Sequence, residues 1–478
     1  MRGSAFIDNS DLIPKILPDS EVKLDANGTP DWASTLILGE IRIATATEEG
    51  TLQSAVPVLD HYAEMGINGL WVCPVYDPGK TGNGYGNMGT HTIDPAITGT
   101  EDYEEGWKVL KEFIDEAHKR NIRIFLDVIS WGTVNESPLF TEHPDWFTAN
   151  SVWGGREFNF NNDEFVEWYT NEVVEIALKT GCDGFRYDVE PSYAGYKVDG
   201  EIRNRLLKRG RKIFAIGEAE NDRGGAYDVE QGGITGTVTV ENYTSVEPIY
   251  FMIDRYNIVD SIKKGEHIGS IASQGKGMGG RYRYYTNCIS SHDNKYPVGC
   301  ANRLAFGYQM IYSPFIPLWY IGEEWNNPLK LSVEDSVLYF NQIDWQALLI
   351  PENRALYEDI KTMIRIRRQY PEIFAYYPDE FINTNICKVC ATGGSLQAYA
   401  RYMNNIAMLI IPNNNASGDG NITISIPFAA CGMDTKKHFT ITDAVSGALI
   451  AEGNAEKVEE IALFVPFMDQ RVLKVKVN

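Results

Sequence analysis

Residues 181–190 read GCDGFRYDVE, a run that looks like a buried strand but carries a cation and a carboxylate two positions apart. Side chains two apart on a strand point to the same face of its sheet, so Arg186 and Asp188 share a face. A helical pattern over 163–181 precedes the strand and stops at Gly181. A helix that leads directly into such a strand is the repeating unit of an α/β protein.

The same alternation extends in both directions, from about residue 36 to residue 370. INGLWVCPVY (67–76) is a continuous apolar run, as expected for a parallel strand covered on both faces. Seven strands can be placed in this way, and the glycine-rich region 221–283 leaves room for one more. The pattern therefore predicts a (β/α)8 TIM barrel, whose active site lies at the carboxyl ends of the strands.

The chain is predicted to have four parts. After Pro371 the sequence pattern changes to short segments rich in β-forming residues, separated by turns that contain Asn and Gly. This pattern is typical of a β-sandwich. The predicted parts are an N-terminal arm (1–35), the catalytic barrel (36–131 and 163–370), a short inserted B region (132–162) and a C-terminal all-β sandwich domain (371–478).

Composition excludes some partners. The 478 residues carry a net charge of −22, which argues against nucleic acid, because binding to phosphates needs positive charge. No apolar run approaches the ~18–20 residues that span a membrane, so no membrane partner is expected. The N-terminus lacks the apolar core of a signal peptide, and seven cysteines are an odd number. A cytoplasmic location is expected, with secretion after removal of a signal as the alternative.

Carboxylates gather at the predicted strand ends. Asp188 ends one strand, and the next strand ends in GEAE with Glu218. Neighbouring strands lie ~4.8 Å apart, so the two carboxyls can approach about 5 Å, the spacing of a retaining glycosidase. A later strand ends in SSHDN and adds His292 and Asp293. Arg186 would keep Asp188 ionised, and negative neighbours would favour the protonated form of Glu218.

These motifs resemble those of the α-amylase family, glycoside hydrolase family 13. GFRYD is similar to the family's G-F-R-x-D strand, GEAE to its acid strand and SSHDN to its H-D strand. FLDV (125–128) resembles the start of the first family motif, and REFNFNN (156–162) resembles its short motif ahead of the nucleophile strand. NGYGNMGTHTIDPAITGTEDY and PLWYIGEEW also match family segments. The matches occur in the family's order.

The resemblance implies the roles of the three acids. Asp188 would be the nucleophile that forms a covalent β-glycosyl intermediate. Glu218 would be the general acid and then the general base. Asp293 would stabilise the oxocarbenium-like sugar through its hydroxyls.

Four further residues receive roles from the resemblance. Arg186 would orient Asp188, and His292 would contact the sugar beside the cleaved bond. Tyr85 would stack on that sugar, although ordinary core packing is the alternative. Asp127 would support Arg186 and the floor of the site.

The first family motif departs from its usual D-x-x-x-N-H form. The sequence reads DVISWG, so Trp131 and Gly132 stand where an Asn that often ligates calcium and a His that often touches the sugar are expected. We therefore predict no cofactor and no metal; bound calcium is the alternative, but it is not predicted at the usual family site. Trp131, Trp146 and Trp153 could be stacking platforms for sugars or could only pack the inserted region.

The resemblance implies a retaining hydrolase of α-glucosidic bonds, with α-1,4-glucans or maltooligosaccharides as the expected substrate class. A transglycosylase using the same site is the alternative, because a sugar instead of water would capture the same intermediate. A non-catalytic sugar-binding relative is a third reading. The presence of Asp188, Glu218 and Asp293 argues against this third reading.

Overall fold

An eight-stranded parallel sheet forms the centre of the molecule in the computed structural model. Its strands are β1 (Leu38–Ile41), β2 (Gly69–Val72), β3 (Arg123–Val128), β4 (Gly184–Tyr187), β5 (Phe214–Gly217), β6 (Ile249–Tyr250), β7 (Thr286–Cys288) and β8 (Ile316–Tyr320). The structure describes residues 7–24, 29–80, 84–188, 195–217, 239–240, 243–244, 249–250, 262–265, 286–293, 299–313, 315–330, 337–375, 386–389, 391–392, 396–426, 428–429, 431–455 and 460–478.

The order of pairing shows that the sheet curls on itself. The strands follow the order β6-β5-β4-β3-β2-β1-β8-β7, so the first strand pairs with both the second and the eighth. Leu38 of β1 lies opposite Gly69 on one side and Leu318 on the other, and both pairings are parallel. This topology confirms the predicted TIM barrel. The eighth strand, β6, lies in the region 221–283, where the sequence left room for one.

Helices cover the outside of this sheet. The longer ones are α1 (Leu52–Met65), α2 (Tyr103–Lys119), α3 (Asp163–Thr180), α4 (Gly195–Lys208), α5 (Asn302–Gly307) and α6 (Pro351–Gln369). Asp102 caps α2 by accepting from two backbone N–H groups of its first turn, and Gly181 ends α3 in the left-handed conformation. Among the helices that the structure describes, none is long and apolar enough to cross a bilayer.

The barrel interior is apolar at its N-terminal end and becomes polar towards the carboxyl ends of the strands. The interior cluster includes Leu38, Trp71, Phe125, Phe214, Ile216, Ile316 and Leu318. Trp32, just ahead of β1, packs against Phe125 and Phe214 with ring centroids 6.2 and 5.7 Å away. Because alternate strand residues share a face, the residues two positions further along β1 and β3 are Glu40 and Asp127. The fold thus brings charged groups to one end of the barrel.

A small antiparallel sheet interrupts the barrel between β3 and α3. Its strands are Gly132–Thr133, Phe147–Val152 and Gly155–Phe158, with a short helix at Leu139–Glu142. The last two strands form a hairpin closed by the two residues Trp153 and Gly154, both with positive φ. The inserted B region is therefore a compact sheet and not an irregular loop.

The C-terminal part forms two antiparallel sheets with a core of their own, in agreement with the predicted β-sandwich. The strands are Ile386–Val389, Ala391–Thr392, Ala398–Met403, Ile406–Asn413, Asn421–Ser425, His438–Asp443, Leu449–Asn454, Glu460–Phe464 and Asp469–Val477. The buried Arg401 joins this part to the barrel by donating to the carbonyl oxygens of Ser313 and Ile373 at 3.1 and 2.5 Å. The domain boundaries given above stay predictions.

Candidate active site

A buried arginine between two aspartates forms the centre of the candidate site. Arg186 on β4 donates from Nη1 to Asp188 Oδ1 at 2.8 Å and to Asp127 Oδ1 and Oδ2 at 3.0 and 3.1 Å. The register of β3 and β4 places Asp127 directly beside Arg186. Arg186 of strand β4 and Asp188, which directly follows the strand, therefore lie on one face, and the guanidinium can neutralise both Asp188 and Asp127 of the neighbouring strand β3.

Asp127 is fully buried and acts only as an acceptor of hydrogen bonds. Besides Arg186, Trp71 Nε1 donates to its Oδ2 at 3.0 Å, and the Tyr85 hydroxyl donates to the same oxygen at 2.9 Å. Burial raises the pKa of Asp127, and the charge of Arg186 opposes that shift. Every one of these partners donates to the carboxyl, and Asp127 contacts Arg186 directly; the supporting role that the resemblance implied for Asp127 stays a prediction.

Asp188 lies where β4 ends and the surface of the site begins. Its backbone N–H donates to the Val128 carbonyl at 2.9 Å, and its own carbonyl accepts from the Ser130 hydroxyl at 3.1 Å. Its exposure of 7% contrasts with the complete burial of Arg186. The guanidinium therefore contacts the Asp188 carboxylate directly, and two hydrogen bonds to its main-chain groups fix the chain at this position.

His292 and Asp293 follow β7 and add a histidine and a further carboxylate to the site. The His292 ring is buried and stacks on Tyr85, with centroids 5.0 Å apart and planes inclined by 18°. Its Nε2 lies 3.4 Å from Asp293 Oδ1, and the Asp293 side chain is 47% exposed. The Asp293 carboxylate is thus open to solvent, whereas the Asp188 carboxylate is largely buried.

Glu40 on β1 is a part of the site that the sequence reasoning missed. Its Oε1 accepts from the backbone N–H of His292 at 3.2 Å and lies 2.5 Å from His292 Nδ1. Burial alone would lower the pKa of His292, but the charge and hydrogen bond of Glu40 outweigh burial and raise it to about 9. A glutamate within the apolar run LILGEIRI was the signal in the sequence that could have found it.

Tyr339 was also missed, and no motif marks it. Its backbone N–H donates to the His292 carbonyl at 2.9 Å, and its ring lies 5.3 Å from that of Tyr85. Arg42 covers the Tyr339 ring at 3.9 Å and donates to its carbonyl. This pair lies behind the aromatic stack of Tyr85 and His292 and limits the positions that the stack can take.

Tyr85 and Trp131, both predicted to bind substrate, are held by the protein itself. The Tyr85 hydroxyl binds Asp127, and its ring packs on His292, as described above. Trp131 is 4% exposed and donates from Nε1 to the Tyr85 carbonyl at 3.2 Å. Contacts within the protein therefore explain the positions of both side chains. A contact of either side chain with a sugar stays a prediction.

The other two tryptophans of the inserted region differ in their surroundings. Trp146 is buried and stacks on His143 at 3.8 Å, so it packs the region. Trp153 is 65% exposed and meets the Trp131 ring edge-on at 5.5 Å. Only Trp153 of these two has a surface on which a sugar could stack.

The structure gives a steric reason for the glycine in the altered first motif. A Cβ at Gly132 would lie 1.8 Å from the carbonyl oxygen of Arg156 on the paired strand. The Gly132 carbonyl already accepts from Asn87 Nδ2 at 2.5 Å, and Trp131 supplies an indole and no side-chain oxygen. Calcium takes oxygen ligands, so these two positions do not fit the usual family ion.

Glu40, Cys73 and His292 form one group of described residues whose ligand atoms lie within 4.8 Å of one another. Glu40 Oε1 accepts from Cys73 Sγ at 3.7 Å and lies 2.5 Å from His292 Nδ1. Two ligands of a tetrahedral metal with bonds of about 2.0–2.3 Å lie about 3.3 Å or more apart. The short contact is a hydrogen bond, so this group does not fit a metal ion as it stands.

Glu218, predicted as the general acid, lies outside the described residues. Strand β5 ends at Gly217. Gly217 pairs with Tyr187, which is the residue immediately before Asp188. The predicted separation of about 5 Å between the carboxyls of Asp188 and Glu218 therefore stays a prediction.

Known proteins resemble this chain in sequence and in fold. Residues 15–154 match the family model described as the α-amylase catalytic domain. The oligo-1,6-glucosidase IMA5 of Saccharomyces cerevisiae is 25% identical over 198 residues, which are 32% of this chain and 32% of that protein. The cyclomaltodextrinase of a Bacillus species is 25% identical over 237 residues, 43% of this chain and 39% of that protein.

Solved structures extend the likeness to nearly the whole chain. The α-amylase from Geobacillus thermoleovorans, complexed with acarbose, gives a TM-score of 0.71 at 17% identity and covers 93% of this chain and 99% of that chain. The fold and site define a (β/α)8 barrel with an acidic centre at the carboxyl ends of its strands and a β-sandwich behind it. In sequence and in fold the chain is similar to proteins of the α-amylase family, the family that its motifs predicted. The chain spans about a third of the length of the first curated relatives.

Proposed function

We propose that this protein is a retaining glycoside hydrolase that cleaves α-glucosidic bonds. The observation that carries the proposal is the array of Asp127, Arg186 and Asp188 at the mouth of the barrel. A nucleophilic carboxylate must be ionised, accessible and fixed in direction. The 2.8 Å contact between Arg186 and Asp188 supplies charge stabilisation and orientation, and the position of Asp188 directly after β4 places it at the carboxyl end of the barrel, where we propose that the sugar binds.

The proposed reaction proceeds in two balanced steps. Asp188 attacks the anomeric carbon, and the bond to the leaving oxygen breaks as Glu218 gives that oxygen a proton. Water then attacks the glycosyl–aspartate ester while Glu218 takes a proton from it, which releases the sugar with its configuration retained. Asp293 would hold the sugar hydroxyls while positive charge develops on the ring. No step requires a metal or a cofactor.

The substrate class rests on the names of similar proteins. They include an oligo-1,6-glucosidase, a cyclomaltodextrinase and an α-amylase complexed with acarbose. We propose α-1,4-glucans or maltooligosaccharides as substrates. Transfer of the glycosyl group to another sugar would use the same first step and differs only in the acceptor of the second.

Net charge, cysteine state and the altered first motif support three further parts of the proposal. A net charge of −22 disfavours nucleic acid as a partner. We propose a cytoplasmic location, which is supported by the free thiols of Cys73, Cys182 and Cys300. We also propose that calcium is not required, because Trp131 and Gly132 offer no side-chain oxygen.

A product time course tests the proposed function. The protein would be incubated with maltoheptaose, starch, isomaltose and trehalose, with and without EDTA, and products would be separated by chain length. We expect shorter maltooligosaccharides at a rate that EDTA leaves unchanged. Chains longer than the substrate would show a transferase. Absence of product from all four sugars would contradict the proposed substrate class, and loss of activity in EDTA would contradict the metal-independent reading.

A further inference from the structure

Glu40 is a carboxylate in the barrel interior whose two shortest described contacts are with one residue, His292, and whose Oε1 also accepts from Cys73 Sγ at 3.7 Å. It lies on β1 and is fully buried. Its Oε1 accepts a hydrogen bond from the backbone N–H of His292 and forms a second hydrogen bond with the ring Nδ1. One oxygen therefore holds both the main chain and the ring of His292 in place. These contacts join the first strand to the loop after β7, although β8 lies between those strands in the sheet.

The second oxygen of Glu40 has an unusual environment. Among the described residues, Oε2 is buried and has no hydrogen-bond partner. Burying a carboxylate without full compensation is unfavourable, and burial raises the pKa of Glu40. An amide or an apolar side chain would fill this place without that cost. The negative charge itself is therefore the feature that needs a function.

Among the residues that the structure describes, the contacts of His292 leave its Nε2 atom for a ligand. Nδ1 is occupied by Glu40, one face is covered by Tyr85, and Trp71 meets the ring edge-on at 5.3 Å. Nε2 lies 3.4 Å from Asp293 Oδ1, which is longer than a good hydrogen bond. A sugar hydroxyl could therefore accept from Nε2 beside Asp293.

We propose that Glu40 is a positioning residue that fixes His292 through Nδ1 and keeps the ring positively charged, so that Nε2 is always a donor towards the sugar. The proposal rests on the proposed function, because it assigns His292 a hydroxyl of the bound glucoside as its acceptor. A neutral imidazole could present a lone pair at Nε2 instead, whereas an imidazolium donates from both nitrogens.

The charged groups around His292 agree with this assignment. Glu40 from β1 and Asp293 from its own loop favour the cation, while Arg186 from β4 and burial oppose it. Asp127 from β3 adds a carboxylate that Arg186 largely neutralises. Glu40 is the group that outweighs the opposing effects, and it holds the pKa of His292 at about 9.

A histidine titration by NMR tests the proposal without reference to substrate. The protein would be labelled with 15N-histidine, and His292 would be assigned from its absence in His292→Gln. We expect wild-type His292 to stay charged through neutral pH and to titrate near 9. In Glu40→Gln, which keeps the shape of the side chain, we expect titration at or below the ordinary value of 6.5. A neutral wild-type His292 at pH 7, or a titration that Glu40→Gln leaves unchanged, would overturn the proposal.

Kinetics on a cleaved glucan provide the functional readout. The ratio of wild-type to Glu40→Gln kcat/KM should rise about tenfold or more between about pH 5.5 and 8.5, as the variant loses its cation. Glu324→Gln is the matched control, because Glu324 forms an equivalent buried pair with His61 at 2.9 Å. The ratio of wild-type to Glu324→Gln kcat/KM should not change with pH. A pH-independent ratio for Glu40→Gln would show a merely structural role. If no glucan were cleaved, the proposed function would fail while the NMR titration would still decide the role of Glu40.

Discussion

Asp188→Asn is expected to lower kcat by about a thousandfold or more, with little change in substrate binding. The amide has nearly the shape of the carboxylate but cannot form the glycosyl ester, so the covalent route is closed. Arg186 would lose one charged partner but keep Asp127. Steady-state kinetics on maltoheptaose and calorimetric titration of a non-cleaved analogue would separate turnover from binding.

Asp183→Asn is the matched control for this variant. Asp183 precedes β4 and forms its own buried contact with Arg123 at 2.7 Å, away from the proposed nucleophile. We expect this control to lose stability and to keep kcat near that of the wild type. Survival of Asp188→Asn within about tenfold of wild-type kcat would show that another group is the nucleophile.

Arg186→Met is expected to abolish activity and to lower the free energy of unfolding by about 3–5 kcal/mol at pH 7. The substitution keeps much of the side-chain volume but leaves Asp127 buried without its counter-ion, next to a second carboxylate. Urea denaturation followed by circular dichroism would measure the loss.

The loss in the free energy of unfolding caused by Arg186→Met should become smaller as pH falls. Without the guanidinium, burial raises the pKa of Asp127 further above its unfolded value. Such a group destabilises the fold when pH lies above the unfolded pKa, so the difference from wild type should shrink as pH falls towards about 4. Arg123→Met, which breaks the contact with Asp183, should lose stability while kcat is kept. An Arg186→Met variant within about 1 kcal/mol of wild type at pH 7 would contradict the role assigned to this guanidinium.

The barrel and the pairing of Arg186 with Asp188 could be predicted because each depends on local periodicity. Two-residue spacing places Arg186 and Asp188 on one face, whereas Asp127 was assigned to Arg186 only through the family resemblance. By contrast, β6 has only the two residues Ile249 and Tyr250, too few for a pattern to identify. A strand of that length is defined by its neighbour and not by its own sequence.

The contacts between distant strands could not be predicted for a similar reason. Glu40 and His292 are 252 positions apart in the chain, and their contact exists only once the barrel has closed. The sequence showed a charged residue in an apolar run but not the partner that explains it. The sequence likewise showed Gly132 at a position where the family often has a histidine, but only the structure shows that the facing carbonyl of Arg156 excludes a side chain there.

The most direct test of the central claim is to trap the glycosyl–enzyme intermediate. A 5-fluoro-α-glucosyl fluoride would be mixed with the protein, because the ring fluorine slows hydrolysis of such an ester while the fluoride leaving group keeps its formation fast. Peptic digestion and mass spectrometry would then locate the added sugar. We predict one fluoroglucosyl group on the peptide that contains Asp188 and none in Asp188→Asn. A sugar attached to a different carboxylate, or cleavage with inverted configuration at the anomeric carbon, would contradict a retaining mechanism through Asp188.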